Sequence, residues 1–174
     1  MIYSIGHGNK NFEYFLNELN SFKIQYLIDI RTNPYSKYNS QYNREILKSN
    51  LQHADIIYVY MGANLGGLPA DPSCYNADGK VNYNIIKEKE FFQAGLQRLI
   101  NAYKKHLAVV LMCSETKPEE CHRSKLIGEE LLKNNIQVQH IIEVNKTKDQ
   151  SIVITGNLDL FTTDLVLTSR KKYS

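Results

Sequence analysis

The chain has 174 residues, 43% of them apolar and 22% charged, with a formal net charge of +3. That length suits one domain with a proper core, and the composition is that of an ordinary globular protein. No apolar stretch nears the roughly 20 residues that span a bilayer, and so small a positive charge permits anionic partners without demanding nucleic acid. The opening residues carry no basic stretch followed by an apolar one, so a cytoplasmic protein with no membrane partner is expected.

Apolar runs of strand length alternate with helical patterns. Residues 2–5 read as a short strand. Residues 11–22 read as a helix, with Phe12, Phe15, Leu16, Leu19 and Phe22 three and four apart on one face. Residues 24–30 form a second strand, and residues 40–51 a helix with Ser40 as its N-cap. Residues 56–61 are a third strand. Residues 62–82, rich in Gly, Pro and Asp, form a long connection that reads as a binding loop or a surface insertion. A helix over 90–103 precedes a fourth strand over 107–112. The next helix runs to Asn134–Asn135, and residues 137–142 make a fifth strand. In the tail, 151–155 and 165–168 read as two short strands.

Strands separated by helices predict a three-layer α/β fold. Its mainly parallel open sheet has about five strands with helices on both faces. A short C-terminal hairpin or pair of edge strands completes it. The expected organisation is one domain, 1–174, with an α/β core over about 1–145 and a β extension over about 146–174.

Each unusual polar cluster follows a predicted strand, and in open parallel sheets ligands bind at the strands' carboxyl ends. His7 sits between Gly6 and Gly8, where backbone N–H groups can approach a ligand, with Asn9 beside it. Asp29 interrupts the apolar strand YLIDIR; Arg31, two residues on, shares its face and can pair with it or grip an anion. Gly66 and Gly67 follow the third strand. After the fourth come Cys113 and then, next to one another, Cys121, His122 and Arg123.

Thr116-x-x-Glu119 with Pro118 reads as a capping box, so a helix begins near Lys117, or else a short turn precedes a helix starting near Cys121. Glu119 and Arg123 suit an i,i+4 pair. Three readings stay open for this segment. Cys113 is a nucleophile activated by the helix start and by His122 or Arg123. Alternatively Cys113, Cys121 and His122, with or without His7, bind zinc or iron, although no complete ligand set is visible. Or the cysteines, too few and too odd in number (Cys74 is the third) for a disulfide framework, are inert core residues. Cys113 and Arg123 lie too far apart for a compact Cys-x5-Arg phosphatase loop.

Residues 31–48 interleave Arg31, Lys37, Arg44 and Lys48 with Tyr35, Tyr38 and Tyr42. Such a pattern suits single-stranded nucleic acid or a nucleotide, or else a solvated face.

Four segments taken together, SIGHGN (4–9), DIRTNPYSKY (29–38), YMGANLGG (60–67) and LMCSETKPEECHR (111–123), resemble the family catalogued as domain of unknown function 488. Gly8, Thr32 and Lys37 depart from the residues usual at those places. The resemblance implies an α/β fold and a shared polar site, and no particular reaction.

The expectation is therefore a polar rim site for an anionic ligand. It would belong to a small enzyme acting on a nucleotide- or nucleic-acid-derived substrate. Cys113, His122, His7 and Asp29 would be catalytic; Arg31, Arg123, Gly6, Asn9, Gly66, Gly67 and Tyr35 would bind. A non-catalytic nucleotide or nucleic-acid module and a Cys/His metal site are the alternatives. Cofactor and oligomeric state are left undetermined.

Overall fold

The structure is a computed structural model that describes residues 1–155, and residues 168–171 as backbone. Five parallel strands form its centre: β1 (Ile2–Gly6), β2 (Tyr26–Asp29), β3 (Ile57–Tyr60), β5 (Val109–Cys113) and β6 (Val138–Glu143). β7 (Lys146–Asp149) adds antiparallel to β6, giving the order β3-β2-β5-β1-β6-β7. A separate pair joins β4 (Lys80–Asn82) to β8 (Thr168–Lys171). The α/β architecture read from the sequence is the one found. The hairpin closes through Asn145 at φ 58°, a left-handed conformation that Asn tolerates in a tight turn.

Alternating side chains divide between two cores because successive strand residues face opposite sides. Ile5, Leu27, Val110 and Met112 pack against Phe15 and Leu19 of α1 (Phe12–Ser21) and Leu47 and Leu51 of α2 (Arg44–Gln52). On the other face, Ile28, Val109, Leu111 and Cys113 meet Phe92, Leu96 and Leu99 of α5 (Glu90–Lys104). Leu126, Ile127 and Leu131, around α6 (Glu129–Lys133), complete that layer. Each such buried aliphatic side chain contributes about 1.5–3 kcal/mol by leaving water. Asn11 caps α1 by accepting from Tyr14 N at 2.8 Å.

Several local expectations are corrected. Ser40 does not cap a helix; it opens a 3₁₀ turn (Ser40–Tyr42), and α2 begins after Asn43. Of the two readings after β5, the short turn before a helix starting near Cys121 holds, and the Thr116–Glu119 capping box does not form. Pro118–Glu120 is a 3₁₀ turn, Cys121 is extended, and a wide π-helical turn follows over Arg123–Gly128 before α6. Glu119 pairs with Lys148 rather than Arg123. The β-branched run at 151–155 lies in a helix, α7 (Gln150–Thr155). Buried Gln150 and Val153 dock it, so packing overrides strand propensity. Of the strand expected at 165–168, Thr168 begins β8, and residues 165–167 lie outside the described residues.

Residues 62–82 are built into the fold. They hold α3 (Gly62–Leu65), a 3₁₀ turn over Pro72–Cys74 and β4. Leu65, Cys74 and Val81 enter the core, and Lys89 pairs with Asp71 at 2.8 Å. A short helix, α4 (Tyr83–Lys87), then leads toward α5. No helix among the described residues is long and apolar enough to cross a membrane.

Candidate functional site

The expected residues gather at the carboxyl ends of β1, β2 and β5, but they separate into two clusters. Strand alternation accounts for the division. Asp29 shares a face with Leu27 and the α1–α2 core, whereas Cys113 shares one with Leu111 and the α5–α6 core.

The first cluster centres on Asp29. Its carboxylate accepts from Arg31 Nε at 2.9 Å, Arg31 Nη2 at 2.6 Å, Arg31 N at 3.1 Å and the Tyr58 hydroxyl at 2.7 Å. Arg31 Nη2 also donates to Tyr42 O at 2.8 Å, and Nη1 meets His7 Nε2 at 3.3 Å. A guanidinium only donates, so His7 Nε2 accepts, and its Nδ1–H donates to Gly8 O at 2.8 Å. The His7 ring stacks on Tyr42 with centroids 4.1 Å apart. Burial, with Arg31 beside it, lowers the His7 pKa to about 4, so this histidine is neutral. Burial and the Asp29 charge push the Tyr58 phenol up.

The second cluster centres on two thiols. Cys113 Sγ lies 2.8 Å from Glu115 Oε2, and Cys121 Sγ lies 3.3 Å from the same oxygen. His122 Nδ1 sits 3.7 Å from each sulfur. The four donor atoms all lie within 4.8 Å of one another. His122 Nε2 lies 3.3 Å from Ile30 O; a carbonyl only accepts, so Nε2 carries a proton, and Nδ1 faces the sulfurs. Cys113, Cys121 and His122 are buried, and Glu115 is half-buried.

The thiols are not equivalent. A hydrogen bond to Cys121, burial and the Glu115 charge push Cys113 well up. Burial opposes ionisation of Cys121 too, but the hydrogen bond from Cys113 and the charge of His122 hold it well down. Burial also opposes the charged form of His122, yet the Cys121 thiolate holds its pKa above the ordinary value. The favoured thiolate is thus Cys121, where the sequence reading placed the nucleophile at Cys113.

Arg123 closes the loop between these residues. It is buried, and its Nη1 donates to Glu115 O, its Nη2 to Thr116 O at 2.8 Å and its Nε to Ser4 Oγ at 3.2 Å. Ser4 Oγ therefore donates its own proton to His140 Nδ1 at 2.5 Å, and His140 Nε2–H donates to Gln150 Oε1 at 2.6 Å. Every nitrogen of Arg31 and Arg123 that was expected to face an anion has a protein partner.

The glycines matter by close approach. A Cβ on Gly6 would lie 1.9 Å from Glu115 O, so only glycine lets the loop after β5 cross β1. One on Gly67 would lie 2.9 Å from the His122 ring, and one on Gly66 2.3 Å from Gly62 O. Asn9 and Tyr35 are exposed and join neither cluster. Glu115, Tyr42, Tyr58, Ser4 and His140 went unread as site residues. Only Glu115 had a legible signal: two residues past Cys113, it alternates back to the same side.

Fold and site together define a small parallel α/β protein with a thiol–imidazole–carboxylate cluster at its sheet's carboxyl rim. The chain belongs to the family described as Domain of unknown function DUF488, whose model matches residues 11–129. The match takes in three of the four segments that carry the resemblance; the first, at 4–9, precedes it. No curated protein and no solved structure matches the chain.

Proposed function

We propose that the protein is a small metalloprotein in which Cys113, Cys121, His122 and Glu115 hold one divalent ion of the zinc class. The observation that carries this reading is the spacing of the two sulfurs from the imidazole, while Glu115, at hydrogen-bond distance from Cys113, would move apart on binding. At usual zinc–sulfur and zinc–nitrogen distances, a tetrahedral site puts sulfur and nitrogen about 3.6 Å apart. Both sulfurs stand 3.7 Å from His122 Nδ1. The Nε2–H bond to Ile30 O is the outer-shell contact that fixes the tautomer of a ligating histidine.

Charge points the same way. One favoured thiolate, Cys121, and a carboxylate share a largely buried site with a second thiol, whose proton a bound cation would displace, and Arg123 is spent on loop carbonyls. Sulfur and nitrogen donors suit zinc rather than magnesium or calcium. Glu115 is the only half-exposed donor, and so the one that a water or substrate oxygen could replace. When bound, such an ion supplies Lewis acidity and a water of lowered pKa. The reading of an enzyme for an anionic nucleotide-like substrate fits less well, because both buried arginines donate to the protein itself.

Elemental analysis of protein purified without chelator tests the proposal. One zinc per chain is expected, and cobalt substitution should bring thiolate charge-transfer bands with the intense visible bands of a tetrahedral site. Cys113→Ser and Cys121→Ser should each lose the metal. A wild-type protein without stoichiometric metal or cobalt bands would end this reading. A second reading then takes over, favoured by the Cys121–His122 pair at 3.7 Å: a thiolate–imidazolium nucleophile. Alkylation against pH would then show Cys121 ionising below the ordinary thiol range and His122→Asn raising it.

A further inference from the structure

We infer that a separate surface, formed by the segment between β2 and α2 with the start of α1 and the end of β3, binds single-stranded nucleic acid. All three cation–π pairs among the described residues lie on it. Lys10 stands over Tyr14 at 5.9 Å, Lys37 over Tyr38 at 5.0 Å and Arg44 over Tyr60 at 4.6 Å. Tyr38 is 82% exposed, Tyr35 56% and Tyr14 42%. Single exposed aromatics are ordinary, but three on one surface, two of them with a cation over the ring, make a stacking platform.

Hydrogen bonds join the three elements into one surface. The Tyr42 hydroxyl and Gln41 Nε2 donate to Lys10 O at 3.1 and 3.3 Å, and the Tyr60 hydroxyl donates to Thr32 O at 3.0 Å. The loop is shaped before any ligand arrives. Ser36 N donates to Asn43 Oδ1 at 2.7 Å, and Ser36 Oγ accepts from the backbone of Tyr38 and Asn39. Little ordering entropy is then lost on binding.

Residues 30–44 contain no Asp or Glu. Of the acids around the face, Asp29 is buried and paired with Arg31, Glu18 is committed to Lys10 at 2.7 Å, Glu45 lies 3.8 Å from Arg44, and Glu13 is exposed. Lys37 and Lys48, both exposed, are left to meet phosphates. Duplexes hide the faces of their bases, so exposed rings favour an unpaired strand, whose bases stack while the cations follow the backbone.

The test is fluorescence anisotropy with labelled oligodeoxyuridylate and oligouridylate over a salt series, using the full chain as purified. Affinity should fall as salt rises, and the arm that binds tighter names the sugar. At fixed salt, Tyr35→Ala with Tyr38→Ala should weaken binding roughly tenfold or more. Lys37→Ala and Lys48→Ala should each flatten the salt dependence by about one counterion. Metal content and thermal unfolding should not change, because these side chains are exposed. Binding that survives loss of both tyrosines, that duplex or polyphosphate matches, or that is absent for both oligomers would overturn the inference.

Discussion

The two clusters at the sheet rim use similar materials to opposite ends. Around Asp29, three acceptor-hungry groups, Arg31, Tyr58 and His7, are matched by acceptors inside the protein, and nothing is left over. Around Cys121, the groups that converge are all of ligand type, with both sulfurs aimed at one Glu115 oxygen, and the guanidinium beside them is spent on loop carbonyls. A buried ion pair that closes on itself holds a strand end in place. A buried set of soft donors facing one another has the composition of a metal site. Function is therefore expected on the cysteine side of the sheet, with the Asp29 side serving as its frame.

The largest expected effect falls on the frame. Asp29→Ala strands the buried Arg31 guanidinium and should cost about 3–5 kcal/mol of stability. Asp29→Asn keeps the shape and some of the bonds, so it should cost less. In the protein that still folds, metal content should be unchanged. Urea unfolding paired with metal analysis checks this, and a loss of metal in Asp29→Asn would show that the clusters are one site.

Next comes pH. His7 titrates near 6.5 when unfolded and at about 4 when folded, because burial and Arg31 disfavour its charge. Between those values the unfolded chain binds a proton that the folded protein refuses. Stability should fall as pH drops from 6.5 to about 4, by about 3 kcal/mol, and this contribution should level off below. His140, lowered to about 4 by burial and opposed by its Gln150 bond, acts in the same window. His7→Gln should remove up to one proton from the slope, about 1.4 kcal/mol per pH unit, whatever its absolute stability. An unchanged slope would mean that His7 is charged in the folded protein and that the frame is not closed.

The sheet was legible because β1, β2, β3, β5 and β6 are apolar runs punctuated by amphipathic helices. β7 was not, since KTKD carries no apolar residue and exists only as a partner for β6. α7 misled because Ile152, Val153 and Ile154 favour strands, while Gln150 is fixed by distant Ser124 and His140 and Val153 is buried. At the site, placement at strand ends could be read from order alone. The division into two clusters could not, because it depends on which face each strand end presents. Nor could the occupation of Arg123, whose partners Ser4, Glu115 and Thr116 come from two different strand ends.

The smallest expected change bears most directly on the comparison. Gly67 has no role in the hydrogen bonding of either cluster, but a methyl group there would stand 2.9 Å from His122 Cγ and Nδ1. The ring cannot retreat freely, since it is buried and Nε2 is tied to Ile30 O. Gly67→Ala should therefore tilt Nδ1 away from one sulfur. An overpacked core of this kind costs about 1–3 kcal/mol, and disturbing what orients a ligand lowers metal affinity roughly 10–100-fold. The pH slope due to His7 should persist, because that ring lies on the other face of the sheet against Tyr42. Zinc titration against a competing chelator, beside a pH series of unfolding midpoints, reads both quantities from one variant. Weakened zinc binding with an intact slope keeps the two clusters apart, and full affinity with a stability loss would remove His122 from the ligand set.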